Sequence, residues 1–450
     1  MGNLMASLLA SANTMRTFER GMGVVENNVT NVSTPGYAKQ RLTLLAQPFQ
    51  IETGLPGGVT LGEARSLRSE YAERTVRQYV GSQGRYSQQA TDLGRVEMLF
   101  DATGESGIPG ALSDFFQSIS SWSVSPNDQV ARQSVIDQAG VVAQSFNQTA
   151  AGLMQASADM NSQATSVVGN INRLVGQILD YNKQVRANAS SANDAGLDAT
   201  VNSALEQLAE YTDFTAIKAD DNSYTLFIGG QTLTLIGDRQ YPVTAAVSGQ
   251  QIRILDAQSR GVTDQIQGGR LASIIEVKNS EIPQYMQQLN RLAAATADQV
   301  NSILATGLDP AGQHPLFTYG ASGSEAATLS VTSITPDQLA SAPPASAGGN
   351  TNIVLLAELG QKTVIDGFTL TGFYGSLAGQ VGRDLSQAKT NQSTQEGLLA
   401  QARSMREDIS GVSLDEEAAR LMEYQRAYQA AARLVSTLDE LTDTLMSMIQ

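Results

Sequence analysis

Two amphipathic segments, one at each end of the chain, constrain its fold most strongly. Near the N terminus, apolar residues recur every three or four positions from residue 4 to residue 32. This spacing predicts one long helix of roughly 40 Å, which must end before Pro35 and Gly36. Its other face carries Ser, Asn, Thr and Gly with few charges. Such a helix is weak alone, so its apolar stripe requires a partner.

The C-terminal segment supplies a second stripe, with apolar residues at helical spacing from residue 414 to residue 448. Its start is well marked, because Ser413 and Glu416 fit a capping box and the acidic residues 415–417 place negative charge in the first turn. Two interpretations stay open. The stripes either pack on an ordinary core, or the two chain ends pair with each other and with neighbouring copies as a coiled-coil-like bundle.

The interior of the chain is mainly helical, with one β-rich stretch. Residues 70–210, 270–304 and 375–409 show helical periodicity. Between 212 and 256 apolar residues alternate on both sides of a Gly-Gly pair, which predicts a β-hairpin, and a second hairpin is predicted to turn near Gly249. A stretch rich in Pro, Ala, Ser and Gly at 341–352 predicts a loop.

The predicted fold class is therefore mainly α with a smaller β part, in an elongated, multidomain chain whose N- and C-terminal helices pair in a coiled-coil-like domain. The chain runs out along a helical rod and returns, so its termini are expected to lie together. Three domains are predicted: a terminal helical domain (1–45 with 405–450), a helix-rich rod domain (46–211 with 266–404, including a loop region at 305–352) and an inserted small β domain (212–265).

Charge and hydropathy exclude several classes of partner. The chain has 29 Lys and Arg residues against 44 Asp and Glu residues, a net charge of −15. This balance argues against nucleic acid and against anionic lipid surfaces. No apolar run reaches 18 residues, so no membrane insertion is expected. The first residues lack the basic region and the cleavage site of a secretory signal peptide.

Catalytic and metal chemistry are not predicted. The chain has no Cys, which excludes disulfides and thiolate sites, and its one histidine, His314, lies in a turn-rich stretch. An enzyme would have to use carboxylates, hydroxyls or Lys. The acidic residues are mostly spread at helical spacing, which is typical of a solvated face. No catalytic residue, cofactor or metal site is therefore proposed from the sequence.

Two motifs resemble a known family. The stretch NNVTNVSTPGYAKQR at 27–41 resembles the Asn-rich segment, ending in Thr-Pro-Gly-Tyr, near the N terminus of flagellar rod, hook and hook-associated proteins. The C-terminal stretch, with LDEE, YQRAYQAAAR and TLDEL, is similar to the end of the hook-associated members, and 307–317 and 372–388 fit as well. The chain is identified as a member of this axial protein family, and it is short for it, which suggests a reduced or missing outer domain.

The resemblance implies a structural role rather than catalysis. In this family the terminal helices form the innermost domain and line the export channel. The expectation is an extracellular structural subunit at the junction between hook and filament, exported without a cleaved signal peptide. The implied partners are further copies in a ring or helical layer, the hook protein, a second hook-associated junction protein, and an export chaperone at the C-terminal helix.

The resemblance also implies a set of assembly residues. Those in the N-terminal motif are Asn28, Asn31, Pro35, Gly36 and Tyr37. Those on the C-terminal helix are Leu414, Asp415, Glu416, Leu421, Tyr424, Gln425, Tyr428, Ala431 and Leu438. For the N-terminal set, the alternative is that these residues only end a helix. For the two tyrosines, a spacing of four serves a partner helix within the subunit and one in a neighbouring subunit equally well.

Three other functions stay open on the sequence alone. The chain could be another axial subunit of the same family, such as the hook protein itself. It could be a secreted wall hydrolase on an axial-protein frame, which would need a carboxylate pair in a pocket. It could be an adhesin that binds through the predicted β domain, 212–265.

Overall fold

The structure is a computed structural model, and it describes residues 2–50, 52, 55–100, 106–248, 251–307, 314–344 and 349–449. The chain forms two compact units. Unit 1 comprises Met1–Ser82, Asn170–Pro242 and Gln395–Gln450, and unit 2 comprises Gln83–Gly169 and Val243–Thr394.

Helices dominate the described part of the chain. In chain order they are α1 (Gly2–Thr30), α2 (Glu70–Glu97), α3 (Gly107–Val124), α4 (Gln129–Ala187), α5 (Ala195–Tyr211), α6 (Gly269–Glu276), α7 (Ile282–Leu304), α8 (Glu325–Thr328), α9 (Thr351–Leu359), α10 (Leu370–Ser410) and α11 (Leu414–Ile449). A π-helical turn, Val277–Glu281, joins α6 to α7. The predicted helical stretches are confirmed.

The strands are short and antiparallel. They are β1 (Gln40–Ala46), β2 (Phe49–Gln50), β3 (Leu55–Pro56), β4 (Val59–Ser66), β5 (Phe214–Lys218), β6 (Tyr224–Ile228), β7 (Thr232–Ile236), β8 (Arg239–Gln240), β9 (Thr244–Ser248), β10 (Gln251–Leu255), β11 (Phe317–Thr318) and β12 (Ser330–Val331). Strand β1 pairs with β4, β2 with β3, β9 with β10 and β11 with β12, and β5 to β8 form one four-stranded sheet in sequence order. The predicted fold class, mainly α with a smaller β part and paired terminal helices, is confirmed.

Both predicted hairpins form. The first is β6–β7, and its turn contains Gly229 and Gly230, whose φ angles of +57° and +72° suit glycine. The second is β9–β10, and its predicted turn at Gly249 lies outside the described residues. The four-stranded sheet belongs to unit 1 and the β9–β10 pair to unit 2. The three predicted domain boundaries stay a prediction.

The core of unit 1 near the functional site is built from three helices. Val76 and Val80 of α2, Ala209 of α5, and Leu399 and Ala402 of α10 are buried against one another, with Tyr79 and Phe214 at the edge. This packing fixes the ends of α5 and α10 that carry the charged residues described below.

Unit 2 contains a group of buried polar side chains around the π-helical turn. Asn279 donates to the carbonyl oxygen of Ile252 and accepts from its N–H, at 2.9 and 2.8 Å, so its amide closes the open edge of β10. Lys278 is buried, and its ammonium donates to the backbone oxygen and the hydroxyl of Ser157 at 2.8 and 2.6 Å. Burial lowers the pKa of Lys278.

Glu281 ends this π-helical turn and has an unusual protonation equilibrium. Burial raises its pKa to about 7. The carboxylates of Glu276 and Asp384 add to this effect, whereas a hydrogen bond from Gln89, at 2.9 Å, and the charge of Arg85 oppose it. One carboxylate oxygen, Oε2, is buried and has no hydrogen-bond partner among the described residues. The protonated form is therefore the one that this environment accommodates best.

Candidate assembly site on the paired terminal helices

Asn28 is the centre of a buried hydrogen-bond network in unit 1. Its side chain is 1% exposed. The amide nitrogen donates to the backbone oxygen of Gln40 and to Oε2 of Glu417, both at 2.9 Å. The amide oxygen accepts from the N–H of Gln40 at 2.9 Å and from the hydroxyl of Tyr37 at 2.8 Å. All four hydrogen-bonding positions of the amide are used, so one side chain joins α1, the turn after it, β1 and α11.

Within this network the hydroxyl of Tyr37 donates a hydrogen bond to Asn28, and the carboxylate of Glu417 accepts one from it. Burial, and then the nearby charge of Glu417, raise the pKa of Tyr37 to about 12, so its hydroxyl stays protonated and can donate. Glu417 is fully buried, and its other oxygen, Oε1, lies 3.5 Å from a guanidinium nitrogen of Arg420. A buried carboxylate needs such partners, because an unpaired charge in the interior is costly.

The turn between α1 and β1 is closed by local hydrogen bonds. Asn31 donates from its side chain to the backbone oxygen and the side-chain oxygen of Asn27, at 2.9 and 2.8 Å, and accepts from the hydroxyl of Thr34 at 3.0 Å. Helix α1 ends at Thr30, and the turn satisfies two of its last carbonyl oxygens: those of Asn27 and Val29 accept from the N–H groups of Asn31 and Val32, at 3.1 and 3.4 Å. Pro35, at the tip of the turn, is exposed.

Gly36 is required by both its backbone angle and its surroundings. Its φ is +76°, and a Cβ atom added there would lie 2.4 Å from the backbone oxygen of Ala199 and 2.9 Å from the backbone nitrogen of Ser203, both in α5. Since neither backbone atom can move aside easily, only glycine fits where the turn meets α5.

We expect Gly36→Ala to destabilise the turn by a few kcal/mol, because it adds a disfavoured backbone angle to a backbone clash. The measurement is amide hydrogen exchange of the segment 28–41 in the purified chain. Gly23→Ala is the matched control, since a Cβ at Gly23 would have no atom of the described residues within 4 Å, and it should leave exchange unchanged or slower. Equal exchange in both variants would contradict this account of the turn.

A network of ion pairs surrounds the Pro-Gly-Tyr turn, and no pattern in the sequence predicted it. Arg68 donates to the backbone oxygen of Gly36 at 2.6 Å and to Asp198 of α5 at 2.7 and 2.9 Å, and it also pairs with Glu73. Four elements therefore meet at one guanidinium: the turn, the segment after β4, α2 and α5. Arginine suits such a position because its five donors lie in one plane.

The same network continues to α10. Arg406 pairs with Glu206 at 2.6 Å and lies 3.5 Å from Glu73, and Arg403 pairs with Glu206 at 2.9 Å. Burial alone would raise the pKa of Glu206, but the hydrogen bonds and charges of the two arginines outweigh it, and the pKa is lowered. The corner where α10 leads into α11 is thus fixed to the core of unit 1.

The predicted capping box at the start of α11 forms only in part. The N–H of Glu416 lies 3.5 Å from the hydroxyl of Ser413. The carboxylate of Glu416 does not return to the cap, because it pairs with Lys39 at 2.7 Å, and this hydrogen bond lowers the pKa of Glu416. The backbone N–H of Lys39 donates to the carbonyl of Ser410 at 2.9 Å. The prediction of a reciprocal box was therefore wrong for the Glu416 side chain.

Helices α1 and α11 pack along each other within the chain. Tyr424 lies on Gly21, where a Cβ would come within 3.0–3.3 Å of its ring, and its ring centroid is 6.2 Å from that of Phe18. Ala431 is buried, and Leu421, Tyr428 and Leu438 are half-buried. Tyr424 thus serves a partner helix in its own subunit.

The remaining predicted residues of α11, and part of the predicted stripes, are exposed in the single chain. Leu414, Asp415 and Gln425 are exposed. Val29 and Val32 are also exposed, which corrects the predicted α1 stripe, because α1 contacts α11 through Gly21 and Asn28 instead. Other exposed apolar residues of the pair include Met5, Leu9, Leu434, Leu441, Leu445, Met446 and Met448. The paired helices therefore retain a large apolar surface that no part of the described chain covers.

Neither a membrane-spanning helix nor a metal cluster occurs among the described residues. None of the described helices is both long and apolar enough to cross a membrane. No cluster of three His, Cys, Asp or Glu side chains suited to a metal ion occurs among the residues that the structure describes.

Two family profiles match this chain. A family profile described as the helical domain of the flagellar hook-associated protein FlgK matches residues 93–317, half of the chain. The chain belongs to the flagellar hook-associated protein FlgK family. A second profile, the C-terminal region of the flagellar basal body rod FlgEFG proteins, matches residues 408–448, which contain all of α11 except its last residue.

Relatives of this FlgK-family chain match along almost its whole length. Flagellar hook-associated protein 1 of Bacillus subtilis is 23% identical over 95% of both chains. The protein of the same name from Salmonella typhimurium is 22% identical over 99% of this chain and 100% of its own length. That alignment runs over 564 positions, more than the 450 residues here, so the relative has residues without a counterpart in this chain.

A solved structure shows the same fold. The flagellar hook junction protein FlgK from Burkholderia pseudomallei matches with a TM-score of 0.67 and 16% sequence identity, over 74% of this chain and 100% of that chain. The FlgK-family chain is thus a structural component of the bacterial flagellum.

Proposed function

We propose that this FlgK-family chain forms the junction between the hook and the filament of the bacterial flagellum. Two relatives are named flagellar hook-associated protein 1, and the solved structure with the same fold is titled a hook junction protein. A junction protein must bind copies of itself and two different neighbours, so it must expose surfaces that are complete only in the assembly.

The paired terminal helices are the observation that carries this proposal. The Asn28 network and the Arg68 network hold α1 and α11 in a defined position on unit 1. Beyond that corner, apolar side chains such as Leu9, Leu434 and Met448 are 60%, 59% and 79% exposed. An exposed apolar surface of this kind marks a protein interface. We assign this surface to contacts between subunits in a ring or helical layer.

The partners proposed from this role are further copies of the chain, the hook protein, and a second hook-associated junction protein. An export chaperone that covers the C-terminal helix α11 before assembly is proposed as well, since that helix exposes four large apolar residues in its last three turns, Leu441, Leu445, Met446 and Met448. The proposed location is outside the cell, at the hook–filament junction, after export without cleavage of a signal peptide. We also propose that the chain has no catalytic role, which its membership of a structural flagellar family supports.

Deletion of the gene tests the proposal. Electron microscopy of the cells should show intact hooks without filaments, and the medium should contain unassembled filament protein on a blot. Complementation with the full chain should restore filaments. Loss of the hooks would move the assignment to a hook or rod subunit, and normal filaments would contradict a junction role altogether.

A further inference from the structure

Two exposed rows of side chains with opposite charge lie on the paired helices. We call them the α1 seam and the α11 seam. The α1 seam comprises Leu9, Asn13, Arg16, Arg20 and Gly23, and the α11 seam comprises Ser436, Asp439, Asp443 and Met446; all nine residues are exposed. Spacings of three and four residues place each set on one face of its helix.

The charges of both seams lack partners within the described part of the chain. Neither Arg16 nor Arg20 forms an ion pair there, and neither Asp439 nor Asp443 does. Each pair has like charges four residues apart, an arrangement that destabilises an isolated helix. The last 16 residues of α11, 434–449, contain three acidic residues and no basic one, although negative charge is disfavoured toward a helix C terminus. Both seams are therefore open to counter-charges on another molecule.

The two seams cannot satisfy each other within one subunit. Gly21 lies against Tyr424, and Asn28 bonds to Glu417, which fixes the register of the antiparallel pair. In this register Arg16 is level with residue 429. Asp443 lies 14 residues further along α11, which is about 21 Å at ~1.5 Å per residue.

We propose that the α1 seam of one subunit binds the α11 seam of a second copy, displaced by about 21 Å along the helix pair. Arg16 then pairs with Asp443, and Arg20 pairs with Asp439. Both ion pairs form with the same displacement, because the four-residue spacing is equal on the two antiparallel helices. The inference rests on the proposed self-assembly, and it names the contacts that set the axial offset between copies.

The uncharged members of the seams fit the same displacement. Gly23 comes level with Ser436, and these two small residues allow the helices to approach closely; in the part of the chain that the structure describes, no atom lies within 4 Å of a Cβ at Gly23. Asn13 comes level with Met446, and Leu9 lies one turn away, so exposed apolar side chains cover each other at the end of the contact.

Cysteine cross-linking tests the register, because the chain has no Cys of its own. In the double variant Gly23→Cys, Ser436→Cys, the two positions are about 21 Å apart within one copy, whereas a disulfide needs Cα atoms within about 7 Å. Oxidation of isolated flagella that carry this variant should give covalent multimers that reductant removes. The matched control is Gly23→Cys, Gln429→Cys, which lies seven residues out of register and should stay monomeric.

Monomer alone from the first variant, or equal cross-linking of the control, would overturn the proposed register while leaving a junction role intact. Absence of the wild-type chain from isolated flagella would overturn the proposed function itself.

Charge exchange supplies an independent test. Arg16→Glu, Arg20→Glu should lose most filaments, and the added changes Asp439→Arg, Asp443→Arg should restore them. The matched control, Arg65→Glu, Arg74→Glu, makes the same change of net charge at exposed positions outside the seams and should keep its filaments. Normal filaments in the first variant, or no restoration by the second pair, would contradict the proposed ion pairs.

Discussion

Replacing Asn28 by Ala should open the corner that joins α1 to α11. The change removes four hydrogen bonds from a buried site and leaves the carboxylate of Glu417 without its closest donor. Loss of one partner of a buried charge costs about 3–5 kcal/mol. At ~1.4 kcal/mol per factor of ten, this predicts at least a hundredfold faster amide exchange in 22–41 and 407–420.

Asn13→Ala is the matched control, since Asn13 lies on the same helix with an exposed side chain, and it should leave exchange unchanged in the purified chain. The single tryptophan, Trp122, is buried in unit 2. The unfolding transition of unit 2, followed by Trp122 fluorescence, should therefore have the same denaturant midpoint in both variants. Unchanged exchange in Asn28→Ala would mean that the network does not hold the terminal helices.

The stability of unit 2 should fall as the pH rises through neutrality, and Glu281 should cause part of that fall. The folded state holds the proton of Glu281 up to a pKa of about 7, whereas the ordinary pKa is 4.5. The stabilisation is therefore complete below pH 4.5 and is lost as the pH rises through about 7. The gap between 4.5 and about 7 corresponds to about 3 kcal/mol, at ~1.4 kcal/mol per pH unit.

Glu281→Gln should remove this part of the pH dependence, because the amide stays uncharged. We expect the variant to match the wild type near pH 4.5 and to be more stable by up to about 3 kcal/mol at pH 8. Denaturant unfolding followed by Trp122 fluorescence measures the difference. Glu358→Gln is the matched control, since Glu358 is exposed in the same unit and is not one of the groups that act on Glu281, and its difference in stability from the wild type should not grow with pH. If the free energy of unfolding of wild type and Glu281→Gln differed by the same amount at both pH values, Glu281 would not be the source of this pH dependence.

The sequence predicted the elements of this fold well, because the helical stripes and the Gly-Gly hairpin are local patterns. It did not predict contacts between distant residues. Asn28 was identified by its motif, but its partner Glu417 lies 389 positions away, and no local pattern indicates that pairing. The role of Arg68 could not be predicted from the sequence, because a single arginine after a strand belongs to no periodic pattern or motif. Its role appears only when Gly36, Asp198 and Glu73 are brought together by the fold.

Two local predictions failed for physical reasons that the sequence does not contain. The capping box was incomplete because Lys39 offers Glu416 a stronger, charged partner than the backbone N–H of the cap. Val29 and Val32 are exposed and do not belong to the buried face of α1, because the last contact of α1 with α11 is polar and is made by Asn28. Apolar periodicity reports which residues avoid water, and it cannot tell a face that is buried in the subunit from one that is buried in the assembly.

Immunogold electron microscopy of wild-type flagella tests the central claim most directly. An antibody raised against the purified chain, and absorbed against cells that lack the gene, is applied to detached flagella. We predict gold confined to the boundary between the curved hook and the filament. Gold distributed along the hook, the rod or the cell wall would contradict the proposal that this chain forms the hook–filament junction.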